Sequence, residues 1–179
     1  MGRREQREQI FKLVFQLEFN DKNDMPEQMK LYLEQEEIQS ERDCTYISEK
    51  FEKIQDKLSE IDTLINEQAT GWKTDRMGKV DLAIIRLAVY EIKYDDSVPT
   101  SVAINEAVEL ANQYSTDKAG SFINGVLGSL SQTAQDVLAN LVTLFLGITV
   151  ATKMQYQQFL TWETCIIMLL GLGAFVFDT

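Results

Sequence analysis

The sequence predicts an all-α protein, and three of its features support this fold class. Apolar residues recur at intervals of three and four positions, β-branched residues seldom alternate, and the only prolines are Pro26 and Pro99. Intervals of three and four place apolar side chains on one face of a helix. We expect about seven helices in residues 1–132 and two short apolar helices in residues 133–179.

The helices can be justified in chain order. Pro26 suits the first turn of a second helix, and Pro99 precedes a helix expected to begin near Ser101. Between these lies VDLAIIRLAVYEIKY, which is apolar on nearly every side and predicts a central buried helix. The core faces of the first and last helices in this part are expected to be formed by Ile10, Leu13, Val14, Leu17, Ile123, Val126, Leu127 and Leu130.

Charge divides the chain into two zones near Gln132. The net charge is -11, yet the 47 positions from 133 onward contain only Asp136, Lys153, Glu163 and Asp178 as charged residues. We therefore treat residues 1–132 as one domain and 133–179 as an apolar tail. The amino terminus has no apolar segment typical of a signal peptide, so a cytoplasmic location is expected for the first zone.

Several kinds of catalytic site lack their residues. The chain has no histidine, so it cannot itself form a Ser–His or Cys–His nucleophile or a histidine metal site. Cys44 and Cys165 lie too far apart in sequence to suggest a zinc motif. Gly120, Gly125 and Gly128 do not form a phosphate loop, and close helix packing is the expected reason for them. The sequence itself therefore offers no motif for a histidine-based nucleophile, a metal site or a phosphate-binding cofactor, and we expect no cofactor.

Arg3, Arg4 and Arg7 stand where cations oppose the helix dipole. This placement costs about 0.3–1 kcal/mol each, which suggests a role other than stability, such as phosphate or nucleic-acid contact. The alternative is a solvated, frayed terminus.

Lys118, Phe122 and Asn124 fall mostly off the apolar face of the last helix. An aromatic ring beside a lysine and an amide can stack on an unpaired base. The alternative is that Phe122 fills a side pocket of the core.

The segments RREQREQIFKLVFQLEF, VPTSVAINEAVELA and FINGVL resemble the NusB family of antitermination factors over residues 1 to about 132. The resemblance implies an all-α fold of two packed helical subdomains and no catalysis. It also implies partners: a small ribosomal subunit protein called NusE, single-stranded boxA-type RNA, and the RNA polymerase antitermination complex. A homodimer is a further candidate assembly.

The resemblance also implies which residues bind RNA. Arg3, Arg4 and Arg7 match the arginine-rich start that touches RNA. Phe15 matches a position where other members have a tyrosine, whose hydroxyl it lacks. Lys118 stands where some members have an acidic residue, which favours phosphate contact here.

Two further positions of the RNA face match Phe122 and Asn124 in the FxNG segment. Asp75 and Asp81 fall in the acidic region that faces the ribosomal protein.

The tail resembles an internal piece of the membrane-embedded β subunit of sodium-pumping carboxylate decarboxylases. The matching phrases are TAQDVLANLVTLFLGITV and LLGLGAFVFDT, without the ion-coupling segments of that family, so we expect no pumping. Its uncharged runs, 137–152 and 164–177, are shorter than the roughly 20 residues of a membrane helix. A membrane hairpin, packing on the first domain and aggregation all stay open.

Two unrelated sequence histories are thus joined near Gln132, by gene fusion, chimeric design or a mis-assembled reading frame. Three functions are compatible with the sequence. The first is an RNA-binding antitermination factor with an adventitious tail. The second is a membrane-anchored protein or decarboxylase fragment. The third is the RNA-binding domain of an rRNA methyltransferase, which the missing cofactor-binding fold disfavours.

Overall fold

A computed structural model describes residues 1–21, 23–36, 38, 40–68 and 73–159. Within these ranges it contains seven α-helices, one short 3-10 helix and no strand, so the all-α prediction is confirmed. The α-helices are α1 (Arg3–Gln16), α2 (Met25–Gln35), α3 (Glu41–Asp56), α4 (Leu58–Gln68), α5 (Lys79–Tyr94), α6 (Thr100–Tyr114) and α7 (Ala119–Phe159). The 3-10 helix spans Thr74–Arg76.

Local chemistry explains where several helices begin. The Gly2 N–H donates to the Glu5 carboxylate at 2.9 Å, which satisfies a backbone donor next to the first turn of α1. Pro26 occupies the first turn of α2, where its missing N–H costs nothing. The Ser40 hydroxyl accepts from the Asp43 N–H at 3.3 Å and so caps α3.

The central helix of the bundle is α5. Every residue from 82 to 91 is buried, and α5 contacts α1, α3, α4 and α6. This confirms the expectation drawn from the apolar run. The apolar face predicted for α1 is also observed: Ile10, Leu13 and Val14 are buried, while Leu17 packs partly buried against the core. The four residues predicted for the last face are all buried.

A buried arginine on α5 joins three parts of the bundle. Arg86 donates from Nε and Nη2 to the two Asp62 carboxylate oxygens at 2.8 and 2.9 Å. Arg86 also forms an ion pair with Glu18, and Glu18 forms a second ion pair with Lys79. Burial opposes ionisation of Glu18, but the two cations outweigh it and hold its pKa below the ordinary value. The segment after α1 is thereby tied to α4 and α5.

Close helix packing accounts for one of the three glycines. A Cβ on Gly120 would lie 2.9 Å from Asn112 Oδ1 and 3.5 Å from Val108 Cγ1, so the missing side chain lets α7 approach α6. Among the described residues, a Cβ on Gly125 or Gly128 would meet no atom within 4 Å. The described contacts therefore support the packing explanation for Gly120 and not for the other two.

The chain divides into two compact units, Met1–Thr133 and Ala134–Thr179. The resemblance implies two helical subdomains within residues 1 to about 132, and this part of the chain forms a single compact unit. In the second, the uncharged run 137–152 belongs to the same element that begins at Ala119, so it is not a separate helix. The run 164–177, expected to form the second tail helix, lies outside the described residues.

The described part of the tail exposes apolar side chains. Six of them are 51–61% exposed: Leu141, Val142, Leu144, Phe145, Leu146 and Ile148. Among the described residues, no helix combines the length and apolar character that crossing a membrane requires.

Candidate nucleic-acid interface

The first two arginines of α1 are exposed at its amino-terminal end. Arg4 Nη2 lies 3.0 Å from Glu109 Oε2 on α6, and the two side chains are 62% and 48% exposed. An ion pair this exposed contributes at most about 1 kcal/mol. Arg4 can therefore exchange Glu109 for a phosphate at small cost, while Arg3 makes no ion pair within the described residues.

Arg7, the third predicted arginine, is buried in an ion network. Its Nε lies 3.1 Å from each carboxylate oxygen of Glu91, and its Nη1 lies 3.3 Å from Glu106. Lys50 reaches Glu91 at 2.7 Å and Asp95 at 3.0 Å. Direct contact of Arg7 with RNA stays a prediction. The structure shows a different role that the sequence did not suggest, because the ion pairs of Arg7 hold α1 against α5 and α6.

The charges of this network are mutually compensated. Burial disfavours the charged form of Lys50, but the Glu91 carboxylate outweighs that effect and raises the lysine's pKa. Burial likewise opposes ionisation of Asp95, whereas Ser97 and Lys50 lower its pKa on balance. Both shifts favour the charged forms, the ammonium of Lys50 and the carboxylate of Asp95.

The end of α6 lies beside the middle of α1. Tyr114 donates from its hydroxyl to Glu8 Oε1 at 2.5 Å, and its ring centroid lies 5.2 Å from that of Phe11. This hydrogen bond lowers the pKa of Glu8, while burial and Glu8 together raise the pKa of Tyr114 to about 12. Residues 115–118, which lead into α7, therefore begin beside the middle of α1.

An aromatic ladder of Phe11, Phe15 and Phe19 runs along the last part of α1 and into the turn after it. Phe15 is half-buried, with its ring centroid 6.5 Å from Phe11 and 5.1 Å from Phe19. Phe19 is 66% exposed. Phe19 lies in the turn after α1, so its exposure depends on where the helix ends, which its spacing of four from Phe15 does not reveal.

The start of α7 carries the remaining predicted RNA residues. Lys118 and Asn124 are exposed, whereas Phe122 is half-buried and packs against the core. Part of the Phe122 ring therefore supports the fold and part of it faces solvent. Both explanations offered for Phe122, base stacking and core filling, are compatible with this placement.

The two predicted partner-binding aspartates lie near the start of α5. Asp75 is exposed on the 3-10 helix, and Asp81 is half-buried in the first turn of α5. Ser115 donates from its hydroxyl to Asp81 Oδ1 at 2.6 Å, which links this turn to the end of α6. Within the described residues, no group of three or more metal-ligating side chains could hold a metal ion.

Sequence comparisons match both zones of the chain. A profile described as the NusB family matches residues 4–132. A profile described as the Na+-transporting oxaloacetate decarboxylase beta subunit matches residues 118–179. The two matches overlap at 118–132, so the second begins earlier than the charge boundary near Gln132.

Relatives and solved structures resemble the first zone. The transcription antitermination protein NusB of Agathobacter rectalis is 51% identical over 131 residues, covering 73% of this chain and 100% of the relative. That of Lachnoclostridium phytofermentans is 46% identical, covering 73% and 98%.

Two solved structures have the same fold. T. maritima NusB is 31% identical with a TM-score of 0.65, covering 74% of this chain and 92% of that one. A crystal structure of antitermination factors NusB and NusE in complex with dsRNA is 25% identical with a TM-score of 0.66, covering 74% and 99%. From its sequence and its fold together, the chain belongs to the NusB family.

Proposed function

We propose that the chain is a transcription antitermination factor that binds boxA-type single-stranded RNA together with a NusE-type small ribosomal subunit protein. The observation that carries this proposal is the pair of exposed arginines, Arg3 and Arg4, at the start of α1 in a fold that is shared with an RNA-bound NusB–NusE complex. The chain acts as an adaptor in the cytoplasm, within an RNA polymerase antitermination complex, and catalyses no reaction.

The RNA face consists of the start of α1, the aromatic ladder and the start of α7. Arg3, Arg4 and Lys118 supply phosphate contacts, and Phe15 and Phe122 offer apolar ring surface to bases. Asn124 can hydrogen-bond a base edge. Arg7 supports this face from the protein interior, because its ion pairs hold α1 against α5 and α6.

A basic partner complements this acidic chain. With a net charge of -11, the protein repels RNA at long range. A ribosomal protein rich in lysine and arginine would supply the missing phosphate neutralisation. We assign the carboxylates of Asp75 and Asp81 to this partner. Asp75 acts by direct contact, and Asp81 acts partly by linking the first turn of α5 to Ser115.

A fluorescence anisotropy titration tests the proposal. The full chain is added to labelled boxA-type RNA with and without the small ribosomal subunit protein, at several salt concentrations. We expect weak binding by the chain alone and markedly tighter binding with the partner. Folded protein that fails to bind RNA in either condition would leave only the family fold and remove the proposed function.

A second candidate role, attachment of the tail to a membrane surface, is favoured by the exposed apolar side chains between Leu141 and Ile148. An apolar helix surface of this kind gains free energy by leaving water. Flotation of the full chain with lipid vesicles tests this role. Recovery of the protein in the lipid-free fraction would exclude it. We propose no ion transport for the tail.

A further inference from the structure

A polar cleft lies between the start of α1 and the start of α3, and it shares Arg3 with the proposed RNA face. Its volume is about 450 Å³, and Arg3, Arg42 and Tyr46 are among its lining residues. Of these, only Arg3 belongs to the RNA contacts proposed above. The contribution of α3 is therefore unexplained.

The base of this cleft is fixed by Asp43. Its carboxylate accepts from the amino-terminal ammonium at 3.1 Å and from Gln6 Nε2 at 2.8 Å. The ammonium group is the main reason that the pKa of Asp43 lies below its ordinary value. Because the negative charge of Asp43 is already compensated, the two arginines set the sign of the charge in the cleft.

Arg3 and Arg42 are both exposed, and neither makes an ion pair within the part of the chain that the structure describes. A guanidinium group binds phosphate with two parallel hydrogen bonds. Two such groups lining one cleft on a protein of net charge -11 form a local exception to its acidic surface. That exception suits an anion rather than a basic protein.

The same face of α3 continues with residues of mixed charge. Arg42, Tyr46 and Lys53 lie on it at spacings of four and seven residues, and exposed Glu49 lies between the last two. Tyr46 also lines a second cleft of about 260 Å³ together with Lys53 and Tyr94. Exposed Glu49 lines that second cleft and opposes an anion there, so the first cleft is the stronger site.

We propose that the cleft between α1 and α3 binds a nucleotide of the RNA next to the boxA-type element. One phosphate lies between Arg3 and Arg42, and the neighbouring base packs on the half-buried Tyr46 ring. A positively charged groove with an aromatic platform is the usual arrangement for sequence-tolerant binding of single strands. This inference rests on the proposed RNA function, which it extends from α1 and α7 to α3.

The experiment compares RNAs of two lengths on the full chain with its ribosomal protein partner. One RNA carries the boxA-type element alone, and the others carry about six further nucleotides at the 5′ or the 3′ end. We expect one extended RNA to bind several-fold more tightly. In Arg42→Gln this gain should disappear and the short RNA should bind as before. Lys30→Gln, which removes one exposed charge on α2, is the matched control.

Two further measurements identify the contact. Arg42→Gln should reduce the salt dependence of binding to the extended RNA. The slope of log binding constant against log salt concentration should become smaller by about 0.7, the value for one phosphate contact on a single strand. Tyr46→Phe should keep the gain from the extension, because the ring remains, and Tyr46→Leu should lose it. Thermal melting of each variant establishes that it is folded.

The outcomes separate the two proposals. Tight binding of the short RNA without any gain from either extension overturns the α3 inference and leaves the proposed function intact. An equal loss for short and extended RNA in Arg42→Gln also overturns it, because Arg42 would then belong to the main face. If folded protein with its partner binds neither RNA, both proposals fall.

Discussion

Arg7 Nε on α1 lies 3.1 Å from each carboxylate oxygen of Glu91 on α5, across 84 positions of sequence. Glu91 is 2% exposed and also forms an ion pair with Lys50. A carboxylate buried to this extent must be paired, because an isolated charge in the interior is strongly unfavourable. The pair therefore holds α1 against α5, and it distinguishes the buried Arg7 from the exposed Arg3 and Arg4.

Replacing Arg7 with alanine should destabilise the protein by about 3–5 kcal/mol, because Glu91 would lose one of its two buried cations. Thermal or urea unfolding measures this change. Arg4→Gln removes a charge from the same helix at an exposed site and should change stability by less than about 0.5 kcal/mol. Equal, small effects of both changes would mean that the buried network contributes little.

Replacing Arg4 with glutamine should weaken RNA binding while the fold stays intact. Losing one phosphate contact should reduce the salt slope by about 0.7. The anisotropy titration in the presence of the ribosomal protein measures it, and Lys30→Gln again serves as the control. An unchanged slope would show that Arg4 remains paired with Glu109 when RNA is bound.

Phe122→Ala distinguishes base stacking from core filling. A stacking contact should cost about 1–3 kcal/mol of RNA binding free energy. A core contact should instead lower the unfolding free energy, and the half-buried position predicts a loss in both measurements. Phe122→Leu keeps apolar volume and should restore stability more than binding. A full recovery of RNA affinity in this variant would argue against stacking.

Acidification should destabilise the fold below about pH 5. The pKa values of Glu8, Glu18 and Asp95 are lowered in the folded state, so their contribution is present above the unfolded pKa and is lost as pH falls through the folded pKa. Melting temperatures measured between about pH 7 and 3 test this. Glu18→Gln should melt lower at neutral pH and show a smaller acid-induced decrease.

The control for that titration is Glu27→Gln. Glu27 is exposed on α2 and makes no ion pair within the described residues. Its variant should follow the parent's pH dependence. If Glu18→Gln also follows it, the ion pairs of Arg86 and Lys79 with Glu18 are not a source of the acid sensitivity.

Removing residues 134–179 should leave a folded, RNA-binding domain. The boundary follows the end of the first compact unit, and a family relative of the same extent is matched over its whole length. The exposed apolar residues of α7 should make the full chain associate, whereas the shortened chain stays monodisperse. Sedimentation velocity measures the association. A shortened chain that unfolds would show that the first unit depends on the tail.

Apolar periodicity was sufficient to predict the helical class, the faces of α1 and α7 and the burial of α5, because each depends on near neighbours in sequence. The acidic and basic residues within the apolar α5 run, Arg86 and Glu91, were visible signals of buried ion pairs, yet their partners were not. Asp62 and Arg7 reach them from other helices, and no local pattern states which distant charges will meet.

The candidate site shows the same division. The sequence by itself determined that arginines open α1, that Lys118, Phe122 and Asn124 lie mostly off an apolar face, and that the charge balance changes near Gln132. Only the tertiary structure decided that Arg7 is buried while Arg3 and Arg4 are exposed, and that Arg42 shares a cleft with Arg3. The physical reason is that exposure and ion pairing depend on which helices pack together, and packing brings together residues that are far apart in the chain.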